Sequence, residues 1–203
     1  MVQHHRKNNI YLGFAVIMLM AFLVSGCAVR RLEVTHDPLS NIENKKQGNI
    51  LVTPFVDKRK EQDLELIGRR VGLQEGVKLD VLLTKFFTEA LITAGYKAAI
   101  QDAQSATPDL AKYDAIVTGE ITEFRMNFYM ARVGHRVDIS TKALDPASQT
   151  VVWDKRIEAA QVNMNWAGAT GEFEKVISEA LTKALNQAAQ AYASDEFFKA
   201  IKK

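Results

Sequence analysis

The chain has 203 residues, with 26 Lys and Arg side chains, 24 Asp and Glu side chains and a single cysteine. Arg6 and Lys7 are the only such charged residues before position 27, so residues 27–203 have a formal net charge of zero. This neutrality excludes the basic footprint typical of nucleic-acid-binding proteins, and one cysteine excludes an internal disulfide framework or a cysteine-based zinc site.

Residues 1–26 predict a lipoprotein signal peptide. A basic start precedes an uncharged, mostly apolar run over residues 10–24, which is shorter than the roughly 20 residues of a membrane-spanning helix. The run ends in Leu23-Val24-Ser25-Gly26-Cys27, which resembles the bacterial lipobox. We therefore expect cleavage between Gly26 and Cys27, followed by acylation of Cys27, whose chains would hold the protein to a membrane. The alternative is a short membrane anchor that happens to end in cysteine.

The residues after Cys27 indicate a destination and a domain boundary. In enterobacteria-like sorting, Asp after the lipidated cysteine signals retention in the inner membrane, so Ala28 predicts the outer membrane, facing the periplasm, in a Gram-negative host. Residues 27–48 have no apolar period and predict a lipidated N-terminus and tether. Residues 49–203 predict a single periplasmic domain, long enough for one compact core.

The first half of this domain predicts a strand, a helix and a second strand. Residues 49–56 form a short, mostly apolar segment with β-branched residues, which predicts a central strand. Residues 57–76 are charged and interrupted by glycines, which predicts a long loop. Apolar residues at steps of three and four predict a helix over 77–93 that ends at Gly95. Residues 96–100 predict a short strand.

The second half predicts an antiparallel meander. Alternating residues predict a long strand over 113–131, with a bulge near Gly119-Glu120 where the alternation changes phase. Val133-Gly134 predicts the turn into a second strand, and a third strand begins near Val151.

The C-terminal segment predicts a long alanine-rich helix from about Thr170 and a short helix after Ser194. The fold class is therefore α+β: a mainly antiparallel sheet, built as strand–helix–strand and then a three-strand meander, with two helices packed on one face.

Few residues indicate chemistry. His36 and His135 have no second histidine or cysteine at ligand spacing, and we interpret them as solvated histidines of the tether and of a turn. No catalytic residue, metal ligand or cofactor is predicted, so we do not expect an enzyme. Arg69 and Arg70 form a candidate anion-binding loop, and the alternative is a solvated connector.

An apolar stripe also has two interpretations. Phe124, Met126, Phe128 and Met130 alternate with polar residues, as expected for a sheet face packed beneath helices. The second interpretation is a lipid-binding groove lined by these flexible and aromatic side chains.

Several motifs together resemble the YajG family of bacterial lipoproteins. After the lipobox they are Val56-Asp57-Lys58-Arg59, Leu66-Ile67-Gly68-Arg69, Ala94-Gly95-Tyr96 and the strand Asp114-Ala115-Ile116-Val117-Thr118-Gly119. The resemblance implies an outer-membrane lipoprotein and this order of elements. It implies no catalytic residue, because none belongs to the family pattern.

Three functions follow as hypotheses. The leading one is a lipid-anchored periplasmic lipoprotein that is a non-catalytic binding or envelope-assembly module. The second is an auxiliary or lipid-binding subunit of an envelope transport system, and the third is a hydrolase of envelope polymers. The expected partners are the membrane, through the acyl chains on Cys27, and an envelope protein or lipid, with no nucleic acid.

Overall fold

The computed structural model describes residues 29–60, 66–68, 71–101, 108–164 and 170–202. The chain divides into two units, Met1–Arg30 and the compact unit Arg31–Lys203. The strands are β1 (Arg30–Leu32), β2 (Asn49–Val52), β3 (Val56–Asp57), β4 (Leu66–Gly68), β5 (Val71–Leu73), β6 (Lys97–Ile100), β7 (Ala115–Tyr129), β8 (Arg132–Leu144) and β9 (Val151–Met164). The helices are α1 (Leu79–Thr93), α2 (Thr170–Ala193) and α3 (Asp195–Ile201), with a 3₁₀ turn at Leu110–Lys112.

The strands form two sheets. The larger has six strands in the order β6-β2-β7-β8-β9, with β3 also paired to β7. Strand β2 is parallel to β6 and β7, whereas β7, β8 and β9 form the antiparallel meander. The smaller sheet has the order β1-β5-β4. The predicted class is confirmed: the fold is α+β, the sheets are mostly antiparallel and the helices cover one face.

Helices α1 and α2 place their apolar stripes on the core face of the large sheet. In α2 the buried stripe is rich in alanine, with Ala180, Ala184 and Ala188 fully buried. Small side chains at this spacing let the helix approach β8, β9 and α1 closely. The fully buried Leu83 and Phe87 belong to the stripe of α1. Both helices therefore form where the sequence predicts them.

The helix ends follow the predicted capping residues. Gly95 has φ of +105°, and its amide and that of Tyr96 donate to the last carbonyls of α1. Ser194 caps α3, because its Oγ accepts a hydrogen bond from the Phe197 amide at 3.2 Å.

Two local predictions are wrong. Residues 57–76 are not a single loop, because β3 ends at Asp57 and β4 and β5 lie within the segment, each too short to show a period. The chain turns between Tyr129 and Arg132, whereas the predicted turn residues Val133 and Gly134 lie inside β8. The bulge predicted near Gly119-Glu120 is confirmed, since the register of β7 with β8 shifts two residues further on, between Ile121 and Glu123.

Much of the segment predicted as a tether packs on the helices. Leu32 and Val34 are buried in the core. Further along, the Asp37 amide donates to Thr182 Oγ1 at 2.8 Å and the Ser40 amide to Asn186 Oδ1 at 2.7 Å, both on α2. From Arg31 onward the chain therefore contributes to the compact unit.

Candidate functional site

The predicted lipidation and anion-binding residues lie outside the described part of the chain. These are Gly26, Cys27, Arg69 and Arg70, so their roles stay predictions. The compact unit begins at Arg31, four residues after Cys27.

The hairpin between β7 and β8 ends in exposed apolar side chains. Tyr129 and Arg132 face each other as the last pair, and Met130 begins the two-residue turn with φ of +51°. Met130 is fully exposed and Tyr129 is 61% exposed. A two-residue hairpin turn normally places Gly, Asn or Asp at a positive φ, so methionine here is unusual.

The neighbouring end of β9 adds two more exposed apolar side chains. Met164 lies opposite Arg132, and Val162 lies opposite Gly134, in the register of β8 with β9. Each is more than half exposed. We call Phe128, Tyr129, Met130, Val162 and Met164 the apolar tip. Sequence reasoning missed this feature, although the apolar run from Phe128 to Met130 at a strand end, without a turn-forming residue, was a signal for it.

Phe128 is the member of the apolar tip that connects it to the core. Its ring is 46% exposed and packs edge-on against Phe173 of α2, with ring centroids 5.6 Å apart. A Cβ atom on Gly68 of β4 would lie 3.5 Å from the Phe128 ring and 3.2 Å from Met126 Cβ. The small sheet therefore packs at the same end of the molecule as the apolar tip.

The apolar stripe of β7 is mostly core. Phe124 and Met126 are buried, Phe128 is half-exposed and Met130 belongs to the turn. The packed-face interpretation is correct for Phe124 and Met126. These two side chains cannot line an open lipid groove.

A buried ion pair holds the small sheet to the large one. Arg59 contacts both carboxylate oxygens of Asp57, with Nη2–Oδ2 at 2.8 Å, and its Nη1 donates to the Leu66 carbonyl at 3.0 Å and to the Phe124 carbonyl at 3.4 Å. Leu66 belongs to β4 and Phe124 to β7. Asp57 thus neutralises the charge of Arg59, and the guanidinium of Arg59 hydrogen-bonds to one strand of each sheet.

His135 is buried, and its prediction as a solvated turn histidine is wrong. It lies inside β8 because the chain turns at residues 130–131, three residues before the predicted turn at Val133-Gly134. Neither ring nitrogen has a hydrogen-bond partner among the described residues, and the Phe124 ring packs edge-on at 4.4 Å. Burial, with a smaller contribution from the Arg59 charge, lowers the pKa of His135 to about 3. The imidazole is therefore neutral at physiological pH.

His36 also has a structural contact. Its Nε2 lies 2.9 Å from Glu89 Oε2 on α1, and its ring packs edge-on against Phe86. Within the described ranges, no group of three or more His, Cys, Asp or Glu side chains is placed to hold a metal ion.

A surface hollow of about 540 Å³ contains two carboxylates, Asp114 and Asp145. Asp114 accepts hydrogen bonds from the Asn49 amide and from Lys202. Hydrogen bonds from Ser148 and the Ala147 amide lower the pKa of Asp145. A general acid of a glycosidase needs a raised pKa, so Asp145 does not suit that role.

The outer face of the meander is charged and internally paired. Asp138 is buried beneath Arg156, whose Nε donates to Asp138 Oδ1 at 2.9 Å, and this contact lowers the pKa of Asp138. Arg136 lies within salt-bridge distance of Glu123 and Glu158. Opposite charges across neighbouring strands thus neutralise one another. In the part of the chain that is described, no helix combines the length and apolarity required to cross a membrane.

Comparison with solved structures identifies the fold as one seen in other bacterial proteins. Protein XCC0632 of Xanthomonas campestris, of the family DUF330, is similar with a TM-score of 0.53 and 13% identity, over 79% of this chain and 90% of that one. This likeness shows the fold alone. No family model and no curated protein matches the sequence.

Two further structures are similar at lower TM-scores, which carry no information about the function of this chain. Lipoprotein GNA1162 of Neisseria meningitidis has a TM-score of 0.39 and 14% identity, over 70% of this chain and 98% of that one. The PelC dodecamer of Paraburkholderia phytofirmans has a TM-score of 0.41 and 13% identity, over 76% of this chain and 94% of that one.

Proposed function

We propose that the protein is a lipid-anchored lipoprotein of the bacterial outer membrane that faces the periplasm and is a non-catalytic binding or assembly module. The observation that carries the proposal is the position of Cys27, the single cysteine, at the end of a lipobox-like sequence after a short apolar run. The compact unit begins four residues later, at Arg31.

The physical basis of the anchor is the burial of acyl chains. Each buried methylene contributes about 0.8 kcal/mol, and two or more chains give stable anchoring where one is marginal. Membership of a YajG-like family is the narrower form of this proposal, supported by the motifs from Val56 to Gly119.

A binding role is favoured over catalysis by the environment of the polar groups. Asp57 pairs with Arg59, Asp138 pairs with Arg156, and Asp145 caps its own turn. These carboxylates have structural partners, and the contacts of Asp138 and Asp145 lower the pKa of each. The partner of the module is an envelope protein or lipid, and Arg69 and Arg70 are the candidate contact for an anionic group on it.

The anchor is tested by processing in a Gram-negative host. Globomycin treatment or Cys27→Ser should leave the unprocessed precursor, and the mature protein should show the acyl mass on Cys27 and partition into detergent. Ala28→Asp is the matched control, because it should leave acylation intact and move the protein to the inner membrane. Normal processing of Cys27→Ser would contradict the proposal.

A further inference from the structure

We propose that the apolar tip inserts into the phospholipid surface to which Cys27 anchors the chain, so that the domain contacts the membrane at two points. The inference rests on the proposed lipid anchor and adds a second contact made by the domain itself. It is carried by the exposure of the tip, its charge and its position relative to the start of the compact unit.

Exposure distinguishes the tip from the opposite end of the meander. Met130 is fully exposed, and Tyr129, Val162 and Met164 are each more than half exposed. At the other end of β8, the turn at residues 145–150 is polar and is closed by hydrogen bonds from Ser148 and Ala147 to Asp145. Aromatic and apolar side chains of this kind are typical of segments that lie in the membrane interface.

The strands that form the tip have basic and no acidic side chains. Residues 124–135 and 159–164 contain no acidic residue, and they include the exposed Arg132 beside Tyr129 and Met164. The acidic residues beside them belong to α2, where Glu179 accepts a hydrogen bond from Asn163 at 3.1 Å and Glu172 and Glu174 flank Phe173 in sequence. A basic side chain next to exposed apolar groups is attracted to anionic headgroups while the apolar groups enter the acyl boundary.

The position of the tip matches the reach of the anchor. The compact unit begins in β1, which belongs to the same small sheet as β4, and β4 packs against Met126 and Phe128 through Gly68. Two interstrand spacings make β1 and β4 about 10 Å apart. The four residue steps from Cys27 to Arg31 span at most about 14 Å when extended. The compact unit, whose small sheet packs at the tip end, therefore starts within this distance of the residue proposed to carry the acyl chains.

The test uses the full-length lipidated protein in vesicles of phosphatidylethanolamine and phosphatidylglycerol. Acylation consumes the thiol of Cys27, so a cysteine introduced as Met130→Cys can be labelled alone with an environment-sensitive fluorophore. Ala147→Cys is the matched control, because it is exposed at the other end of β8, about 40 Å away along the strand.

We expect brominated lipids to reduce the emission of the probe at residue 130 by about twofold or more, as burial at the headgroup–acyl boundary requires. The probe at residue 147 should be unaffected. In a second measurement with the probe at Met164, Met130→Glu should reduce the quenching, and Met130→Gln should reduce it less.

The outcomes separate the two proposals. If mass spectrometry finds no acyl group on Cys27, the lipid anchor is contradicted, and the tip contact that rests on it falls with it. If Cys27 is acylated and the probe at residue 130 is not quenched, the tip contact alone is overturned. A blue shift of the probe without quenching by brominated lipid indicates contact with protein, and this also overturns the tip contact.

Discussion

At two positions, His135 and Met130, the residue present is not the one that would make the fold most stable. His135 lies in the core with both ring nitrogens unpaired, although a buried polar group without a hydrogen bond costs free energy. Met130 adopts a positive φ that glycine or asparagine would adopt more easily. Both positions therefore offer substitutions that should stabilise the protein.

The first prediction concerns His135. His135→Leu should raise the free energy of unfolding at pH 7 by about 1–2 kcal/mol, because it removes two unpaired buried polar atoms while it retains most of the volume. His36→Leu is the matched control and should not stabilise, because His36 has a polar partner in Glu89. Urea unfolding measures both, and a less stable His135→Leu protein would contradict the prediction.

The same histidine predicts a dependence of stability on pH. Because the folded-state pKa is about 3 and the usual pKa is 6.5, both states are neutral above pH 6.5 and the unfolded state alone is protonated between pH 6.5 and 3. The free energy of unfolding should therefore decrease as the pH is lowered from 6.5 to 3, and this group should contribute about 1.4 kcal/mol per pH unit to the decrease. Carboxylates such as Asp138 also lose stabilisation in acid, so the measurement is the difference between the parent and His135→Leu. Parallel curves for the two proteins would show that His135 is not the cause.

Met130 provides a prediction about strain in the turn between β7 and β8. Met130→Gly should raise the free energy of unfolding by about 1 kcal/mol, because glycine adopts positive φ without a steric cost. Gln149→Gly is the control, since Gln149 has φ of +58° in the polar turn and should give a similar gain. Thermal unfolding compares the two, and an unchanged or lower stability for Met130→Gly would refute the idea that the turn is strained.

At the scale of elements, two threonines of α1 have similar environments and different roles. Both are buried and donate to the carbonyl four residues earlier: Thr84 to Asp80 and Thr88 to Thr84. Thr84 Oγ1 also accepts a hydrogen bond from the buried Phe55 amide at 2.8 Å. This hydroxyl therefore joins α1 to the segment between β2 and β3.

We predict that Thr84→Val lowers the free energy of unfolding by about 1–3 kcal/mol, because the Phe55 amide loses its acceptor inside the core. Thr88→Val should change it by less than about 0.5 kcal/mol, since its carbonyl partner already belongs to the helix ladder. Chemical denaturation of the two variants checks the difference. Equal losses would mean that the Phe55 hydrogen bond is unimportant.

The elements that could be predicted from the sequence are those long enough to repeat their hydrophobic pattern several times. Fifteen residues of α1 and fifteen of β7 repeat their patterns several times, and capping by Gly95 and Ser194 is a local property. Strands β4 and β5 have three residues each, which is too short for a hydrophobic period in the sequence. They form because they pair with each other and because β5 pairs with β1.

The turn and the buried polar groups could not be predicted for a different reason. Gly134 indicated a turn, yet it lies within β8 under Val162, where a Cβ atom would meet Cγ2 at 3.2 Å. The burial of His135 and the ion pair of Arg59 depend on strands that are distant in sequence. Of the candidate site, Cys27 could be predicted because a lipobox is a local motif, whereas the apolar tip is assembled from the β7–β8 hairpin and the end of β9, which are distant in sequence.

At the scale of the whole molecule, the question is where the folded unit begins. Sequence patterns predict a domain that starts at residue 49, after a tether. The structure places residues 32–46 along the helices instead of leaving them in solvent, with Leu32 and Val34 in the core and Lys46 paired with Asp195 of α3. A segment that contacts β5, α1, α2 and α3 in turn links elements that are far apart in the chain.

We therefore predict that a protein starting at Asn49 is less stable than one starting at Arg31. Burial of Leu32 and Val34 alone should contribute about 3–6 kcal/mol, a large share of the stability of a typical domain. The point variant Leu32→Ala should reproduce about 2–5 kcal/mol of this loss, and Glu33→Ala, at an exposed position beside it, should have almost no effect. The urea midpoints of the four proteins test this prediction. If the proteins that start at Asn49 and at Arg31 unfold at the same urea concentration, residues 31–48 are a tether, and their contacts with the helices do not stabilise the fold.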